Sequence, residues 1–269
     1  MASVCVYCGA VGPLTREHIM PASILQRVPP NSMRYIESAE KVILTDPVIK
    51  DVCTSCNGGV LSRLDSYGCE LFDTHFCNPP QPGKTVTFTY DFNQLSRWLL
   101  KISYNSARSS KHEDASVLTQ YVPDIIGGTS PNIALCLELI EPALEETTTE
   151  KGIAVVQTLN PRTLRISRMY SKNGYTPRLH IRRLVAIQGY WFALVIPTAN
   201  NHSEDERQSE QELIISQWPN VSVLSPNRTA ITLSTLGNNV VDMSKDNILA
   251  KAHLYQKAMD QIDAKRKNA

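Results

Sequence analysis

The chain has 269 residues, 27 Lys and Arg against 26 Asp and Glu, and a formal net charge of +1. Its 42% hydrophobic content is that of a soluble protein with ample core for one large domain, or for a small one and a larger one. The charge balance excludes a chain drawn to nucleic acid as a whole, and no apolar run approaches the ~18 residues of a membrane span.

The N-terminus has no basic stretch followed by an apolar one, so no signal peptide is expected. Seven cysteines, four of them in metal spacing, suit a reducing cytoplasm better than a disulfide scaffold. Cys5 and Cys8 bracket two residues, and Cys53 and Cys56 do the same. Each pair fits one knuckle-shaped turn that aims two sulfurs at one ion, and two knuckles supply the closed tetrahedron preferred by structural zinc. A single such pair also reads as a redox motif, but that chemistry needs an exposed low-pKa thiol in a βαβ setting, and none is visible.

Between the knuckles, a strand is expected to end near His18. Pro21 and then Pro29-Pro30 prevent one long helix. The β-branched run Lys41–Thr45 reads as the second strand. A helix should start at Cys56 and run toward Leu71, with Val60, Leu61, Leu64 and Tyr67 at helical spacing and Asn57 in its first turn. Closing the zinc site would fold the chain back on itself, so that Glu17, His18 and Asn57 meet although they are far apart in sequence. Carboxylate and amide oxygens are hard ligands suited to magnesium or manganese, and an imidazole beside them can take a proton from water.

Cys5-x-x-Cys8, Glu17-His18-Ile19-Met20-Pro21 and Cys53-x-x-Cys56-Asn57 together resemble the HNH (ββα-metal) endonucleases, in the branch with a four-cysteine zinc site. The resemblance covers roughly the first quarter of the chain and extends to Gly58-Gly59 and Leu61–Asp65 at the start of the final helix. It implies a β-hairpin followed by a helix, with Glu17 and Asn57 on a catalytic magnesium or manganese and His18 as general base. It also implies DNA as the substrate. Two departures stand out: Glu17 occupies a position where Asp is commoner, and Thr45–Asp51 lacks the Asn many members carry there, leaving Asp46 or Asp51 as substitutes.

Cys69, His75 and Cys77 are too irregularly spaced for a second metal site, and Cys136 lies in an apolar run that reads as a buried strand. Asn78–Gly83, with three prolines, reads as a linker, dividing a zinc module at 1–77 from a second region at 84–269. In that region Val86, Phe88 and Tyr90 alternate as on a strand. Asn93–Ala107 carries a helical stripe of Leu95, Trp98, Leu99 and Ile102, with Trp98 as a core anchor. Strands are expected at 133–140, 153–158, 163–169 and 181–187, with a hairpin turn at Ile187–Tyr190, a return strand Trp191–Ile196, a strand near Thr229–Leu233 and a helix at 244–265. The fold class is therefore α+β: a zinc-clamped ββα-metal module followed by a larger mixed region.

From Lys151 to His202 there is no acidic residue, while Arg162, Arg165, Arg168, Arg182 and Arg183 fall within the stretch. The functional reading is a phosphate-tracking surface, helped by the match of the guanidinium fork to phosphate. The plainer one is a solvated sheet face paired with the acidic flanks. His112, His180, His202 and His253 lie in no ligand-like context. Taken together, these readings point to a metal-dependent DNA endonuclease, acting as a homodimer or beside a partner protein of a defence or mobile-element system. The alternative is a zinc-stabilised nucleic-acid-binding or interaction module without catalysis.

Overall fold

Two of the metal-spaced cysteines lie on a turn before the first strand, and two lie where a later strand passes into a helix. In the computed structural model, residues 3–28, 34–36, 41–43, 48–140, 143–148, 154–159, 164–169, 175–198, 202–218 and 220–235 are described. Strand β1 (Leu14–His18) is followed by a one-turn helix α1 (Ala22–Leu25), started by Pro21. Lys41–Ile43 is a strand (β3), yet it pairs with β2 (Arg34–Ile36), and the antiparallel partner of β1 is β4 (Val48–Cys53). The expected second strand of the hairpin is thereby corrected. Lys50 and Asp51 interrupt the apolar pattern of β4, whose pairing sets Leu14 opposite Cys53 and His18 opposite Val48.

From β4 the chain enters a helical run: α2 (Thr54–Cys56), a wider π-type turn over Asn57–Leu61, α3 (Ser62–Leu71) and a second π-type turn over Phe72–Phe76. The bend falls at Gly59, whose φ of −103° and ψ of −107° leave the helical region, at a Gly pair of the kind that kinks helices. Strand β5 (Thr85–Thr89) then leads to α4 (Phe92–Ser109), capped by Asp91, whose carboxylate accepts the Gln94 N–H at 2.9 Å. Helix α4 is the axle of the molecule. It buries Leu95, Trp98, Leu99, Leu100, Ile102 and Tyr104, and also the polar Lys101 and Asn105. Gly68 on α3 permits its close approach, because a Cβ there would lie 2.4 Å from the Trp98 ring.

Two short helices, α5 (Asp114–Thr119) and α6 (Val122–Gly127), follow, the second ended by Gly128 at φ +87°. The remaining strands are β6 (Ala134–Leu139), the pair β7 (Ala143–Thr148) and β8 (Ala154–Leu159), β9 (Leu164–Arg168), β10 (His180–Ile187) and β11 (Tyr190–Pro197). After helix α7 (Glu204–Ser216) come β12 (Ser222–Val223) and β13 (Ala230–Ser234), the latter paired with β5. The main sheet is antiparallel in the order β12-β6-β11-β10-β9. Gln188 and Gly189, both at positive φ, make the expected tight turn between β10 and β11.

Alternation sorts the sheet into two faces. Ile181, Val185, Ile187, Tyr190, Phe192 and Leu194 join the core around α4, while Ala134 and Val195 meet Ile214 of α7 on the other side. Helix α7 lies where only an acidic flank was expected and no helix. It is opened by a capping box of Ser203 and Glu206 and tied to β10 by Glu210, which lies 2.8 Å from His180 Nδ1 and accepts the N–H groups of Arg178 and Leu179. One hydrophobic cluster runs from Cys5 to Leu233, so residues on both sides of Asn78–Gly83 share a core. The rings of Phe76 and Phe88 stack across that stretch at 6.1 Å. The architecture is mixed α+β with antiparallel sheets. No helix among the described residues is long and apolar enough to cross a membrane. The expected helix at 244–265 lies outside the described residues.

Candidate metal centre and adjoining cleft

Cys5 and Cys8 sit on a turn closed by Gly9 N–H donating to the Cys5 carbonyl and Cys5 N–H donating to the Ala10 carbonyl, both at 2.9 Å. Gly9 adopts φ +73°, a conformation open to glycine at little cost. The end of β4 and the first turn of α2 bring Cys53 and Cys56 to the same point. The four sulfurs all lie within 4.8 Å of one another, and those of Cys8 and Cys53 are 3.7 Å apart. A tetrahedron with Zn–S of about 2.3 Å has edges of about 3.8 Å, so the set fits zinc. Backbone N–H groups point at sulfur as well, Cys53 to Cys5 at 3.3 Å and Cys56 to Cys53 at 3.5 Å. Burial raises the Cys5 thiol, but the N–H groups of Cys53, Cys8 and Tyr7 outweigh it and hold its pKa at about 6. Cys56 is held well above the usual thiol range by burial and by the neighbouring sulfurs, a crowding of like groups that a bound cation relieves. These four cysteines could hold a structural metal such as zinc. Among the described residues, no other group of three or more His, Cys, Asp and Glu converges in this way.

Beside this centre lies a cleft. Its walls include Arg16, Glu17 and His18 of β1, Ser23 of α1, Asn57, and Ser62, Asp65 and Cys69 of α3. The two outer members of the expected trio meet it differently. Asn57 Nδ2 donates to Thr15 Oγ1 at 2.9 Å and to the Arg16 carbonyl at 3.0 Å, which leaves the amide oxygen to face a cation. His18 is partly exposed at the rim, and its backbone carbonyl accepts Asn105 Nδ2 at 3.5 Å.

Glu17 borders the same cleft and has an interior partner as well. Only 3% exposed, its Oε1 lies 2.5 Å from Nζ of Lys101, whose side chain is fully buried. Lys101 also contacts both carboxylate oxygens of Asp65 at 2.7 Å. Burial raises the Asp65 pKa, and Lys101 offsets part of that rise. Asn105, one turn further along α4, donates weakly to Glu17 Oε1 at 3.4 Å and accepts from Tyr7 OH at 2.7 Å and from Arg108 at 2.6 Å. Arg108 lies 4.4 Å over the Tyr104 ring and pairs with Asp51. Of the two Asn substitutes, Asp51 is therefore engaged with Arg108, and Asp46 lies outside the described residues.

Lys101, Asn105 and Asp65 carry the site and were not assigned from the sequence. The available signal was a lysine and an asparagine on the otherwise apolar stripe of Trp98 and Ile102. Cys69, His75 and Cys77 have separate neighbours, namely Ser23 Oγ at 2.9 Å, Thr89 Oγ1 at 2.9 Å and the Asp73 carbonyl at 3.4 Å. Cys136 is core, as expected.

Of the five arginines of the expected phosphate surface, Arg182 and Arg183 are enclosed and Arg168 is engaged in ion pairs. In the pairing of β9 with β10, Arg168 stands opposite Arg183, which alternates with Ile181 and Val185 on the core face. Arg183 is 2% exposed and bonds Asp114 at 3.1 Å, while Arg168 pairs with Glu113 and Asp114. Arg182, on the opposite face, is 4% exposed, and burial draws its pKa down. Side chains as enclosed as those of Arg182 and Arg183 do not track a backbone of phosphates. Arg165, opposite Ala186 on edge strand β9, stays half-buried, and Arg162 lies outside the described residues. No family model matches the chain, and no similar curated protein or solved structure was found.

Proposed function

We propose that the chain is a metal-dependent endonuclease acting on DNA, with the cleft beside the four-cysteine centre as its active site. The observation that carries the reading is that His18, Glu17 and Asn57 border one cleft although Asn57 follows them by some forty residues. This is the arrangement implied by the likeness to HNH endonucleases. Zinc on Cys5, Cys8, Cys53 and Cys56 would fix β4 and the start of the helical run, and so hold Asn57 beside Arg16. Magnesium or manganese, held by the Asn57 amide oxygen and the Glu17 oxygen that Lys101 does not take, would neutralise charge on the phosphate and on the leaving oxygen.

The chain's own residues do the rest. The His18 imidazole takes a proton from water as the water oxygen attacks phosphorus, and the bond to the 3′ oxygen breaks in line. Thr15 keeps Asn57 turned, donating its hydroxyl to the Val52 carbonyl at 2.8 Å while accepting from the Asn57 amide. Arg16 is exposed on the cleft wall, where a phosphate can meet it without displacing a protein partner.

A second reading is favoured by one observation. Lys101 already neutralises Glu17, as suits a zinc-stabilised binding or interaction module with no exchangeable metal. Plasmid incubated with the protein and magnesium or manganese, beside an EDTA control, separates the two. Nicking or linearisation that EDTA abolishes supports the nuclease, and intact plasmid under all conditions supports the binding module.

A further inference from the structure

We infer that the ammonium of Lys101 is a resident cation of the cleft, filling the place between Glu17 and Asp65 that a second divalent ion would take. The cleft is thereby built for one exchangeable metal ion, and Lys101 is a positioning residue that acts through the two carboxylates. The reasoning starts from contacts. Lys101 Nζ meets three carboxylate oxygens, Glu17 Oε1 at 2.5 Å and both oxygens of Asp65 at 2.7 Å. A shared cation between carboxylates from two elements is the pattern by which proteins seat hard metal ions. Here the charge is carried on a covalent arm.

Burial sharpens the point. The Lys101 side chain is fully buried and that of Glu17 is 4% exposed, while Asp65 keeps 22% on the cleft side. The ammonium therefore approaches from the interior and leaves the cleft side of Asp65 open. A surface ion pair would be incidental, whereas an enclosed lysine persists where its partners neutralise it. Its origin is informative too. Lys101 belongs to α4, outside the four-cysteine module, so the second region contributes a charge to a cleft whose lining comes from the module.

The inference rests on the nuclease reading only for the statement that one exchangeable ion remains. Its test is manganese binding by the full chain, followed by calorimetry and by the electron paramagnetic resonance of free Mn2+. Lys101→Ala removes the ammonium and leaves room, so it should bind one more Mn2+ per chain than the unsubstituted protein. Lys101→Arg keeps the charge and should keep the count. Adding Asp65→Asn to Lys101→Ala should abolish the extra ion. Equal counts in the unsubstituted protein and Lys101→Ala would overturn the proposal.

Should Lys101→Ala fail to fold, Asp65→Asn alone decides the question. It leaves the Lys101 charge less compensated and should weaken Mn2+ binding about tenfold, the order of effect of one charge on a nearby divalent ion in a water-like medium. Unchanged or tighter binding would refute the inference. Failure of the nuclease reading looks different: the unsubstituted protein neither binds Mn2+ nor cuts DNA, while Lys101→Ala still gains its ion and the inference stands.

Discussion

Gly68→Ala probes the close approach of α3 and α4 that brings Asp65 to Lys101. The added methyl would sit 2.4 Å from Trp98 Cε2 and Cζ2 and 2.7 Å from Nε1, against an ordinary carbon–carbon separation of about 3.5–4.0 Å. The Trp98 side chain is fully buried, and its rigid ring has no flexible end to swing away. The helices must separate by about 1 Å. Overpacking of this kind costs up to about 3 kcal/mol, and the better helix propensity of Ala returns about 1 kcal/mol. The net loss of about 2 kcal/mol lowers the melting temperature by about 4–8 °C for a chain of this size. Gly58→Ala is the control, since a Cβ there meets nothing within 4 Å. Thermal unfolding by circular dichroism reads both. A Gly68→Ala protein that melts at or above the unsubstituted one would show that the helices are not in the contact described.

The four-cysteine centre makes a second prediction. Cys53→Ala should abolish zinc uptake in metal analysis and strip hydrogen-exchange protection from β1 and β4, because zinc binding of about 10–16 kcal/mol in finger peptides rivals the about 5–15 kcal/mol of a whole domain. A chelated protein with unchanged protection would contradict this. His18→Ala should lower plasmid cleavage by a factor on the order of 10²–10⁴ at unchanged zinc content, and added manganese should not restore it. Undiminished cleavage would remove His18 from the mechanism. The last prediction concerns acid stability. Burial raises the Glu210 pKa, but His180, the N–H groups of Arg178 and Leu179, and Tyr175 outweigh it and hold the carboxyl below its ordinary value. The contribution is complete above the unfolded value of about 4.3 and is lost as pH falls through the lower folded value. Melting temperatures recorded from about pH 6 down to about pH 3 should therefore fall less steeply for Glu210→Gln; parallel curves would refute the linkage.

What could be read from the sequence was what local chemistry dictates. Two Cys-x-x-Cys spacings bring four sulfurs together wherever the intervening chain lets them, and here they converge. The turn at Gln188-Gly189 and the stripe around Trp98 are equally local. What escaped depended on partners distant in sequence. Strand β4 was hidden because Lys50 and Asp51 look like loop, and Asp51 is accounted for only by Arg108, 57 residues later. Arg183 reads as a surface charge until the register with β11 sets it opposite Leu194, on the core face. Helix α7 buries only Ile214, so its periodicity is faint, and its capping box of Ser203 and Glu206 was the one local sign. Glu17 was recognised by the residue beside it, but its neighbour in space comes from α4.

The four-cysteine centre has a consequence for chain length. Cys8 and Cys53 are 45 positions apart and their sulfurs nearly touch, so a bound metal would turn everything between them into a closed ring. For such a ring the entropy of closure grows only as the logarithm of its length, and each doubling costs about 0.6 kcal/mol. The chain between Val28, which follows α1, and Val48, which opens β4, lies inside that ring. It can therefore gain or lose residues at little thermodynamic expense, while Glu17, His18 and Asn57 keep their places. Insertion of a small tag between Ile36 and Lys41 should leave zinc content and melting temperature close to those of the parent.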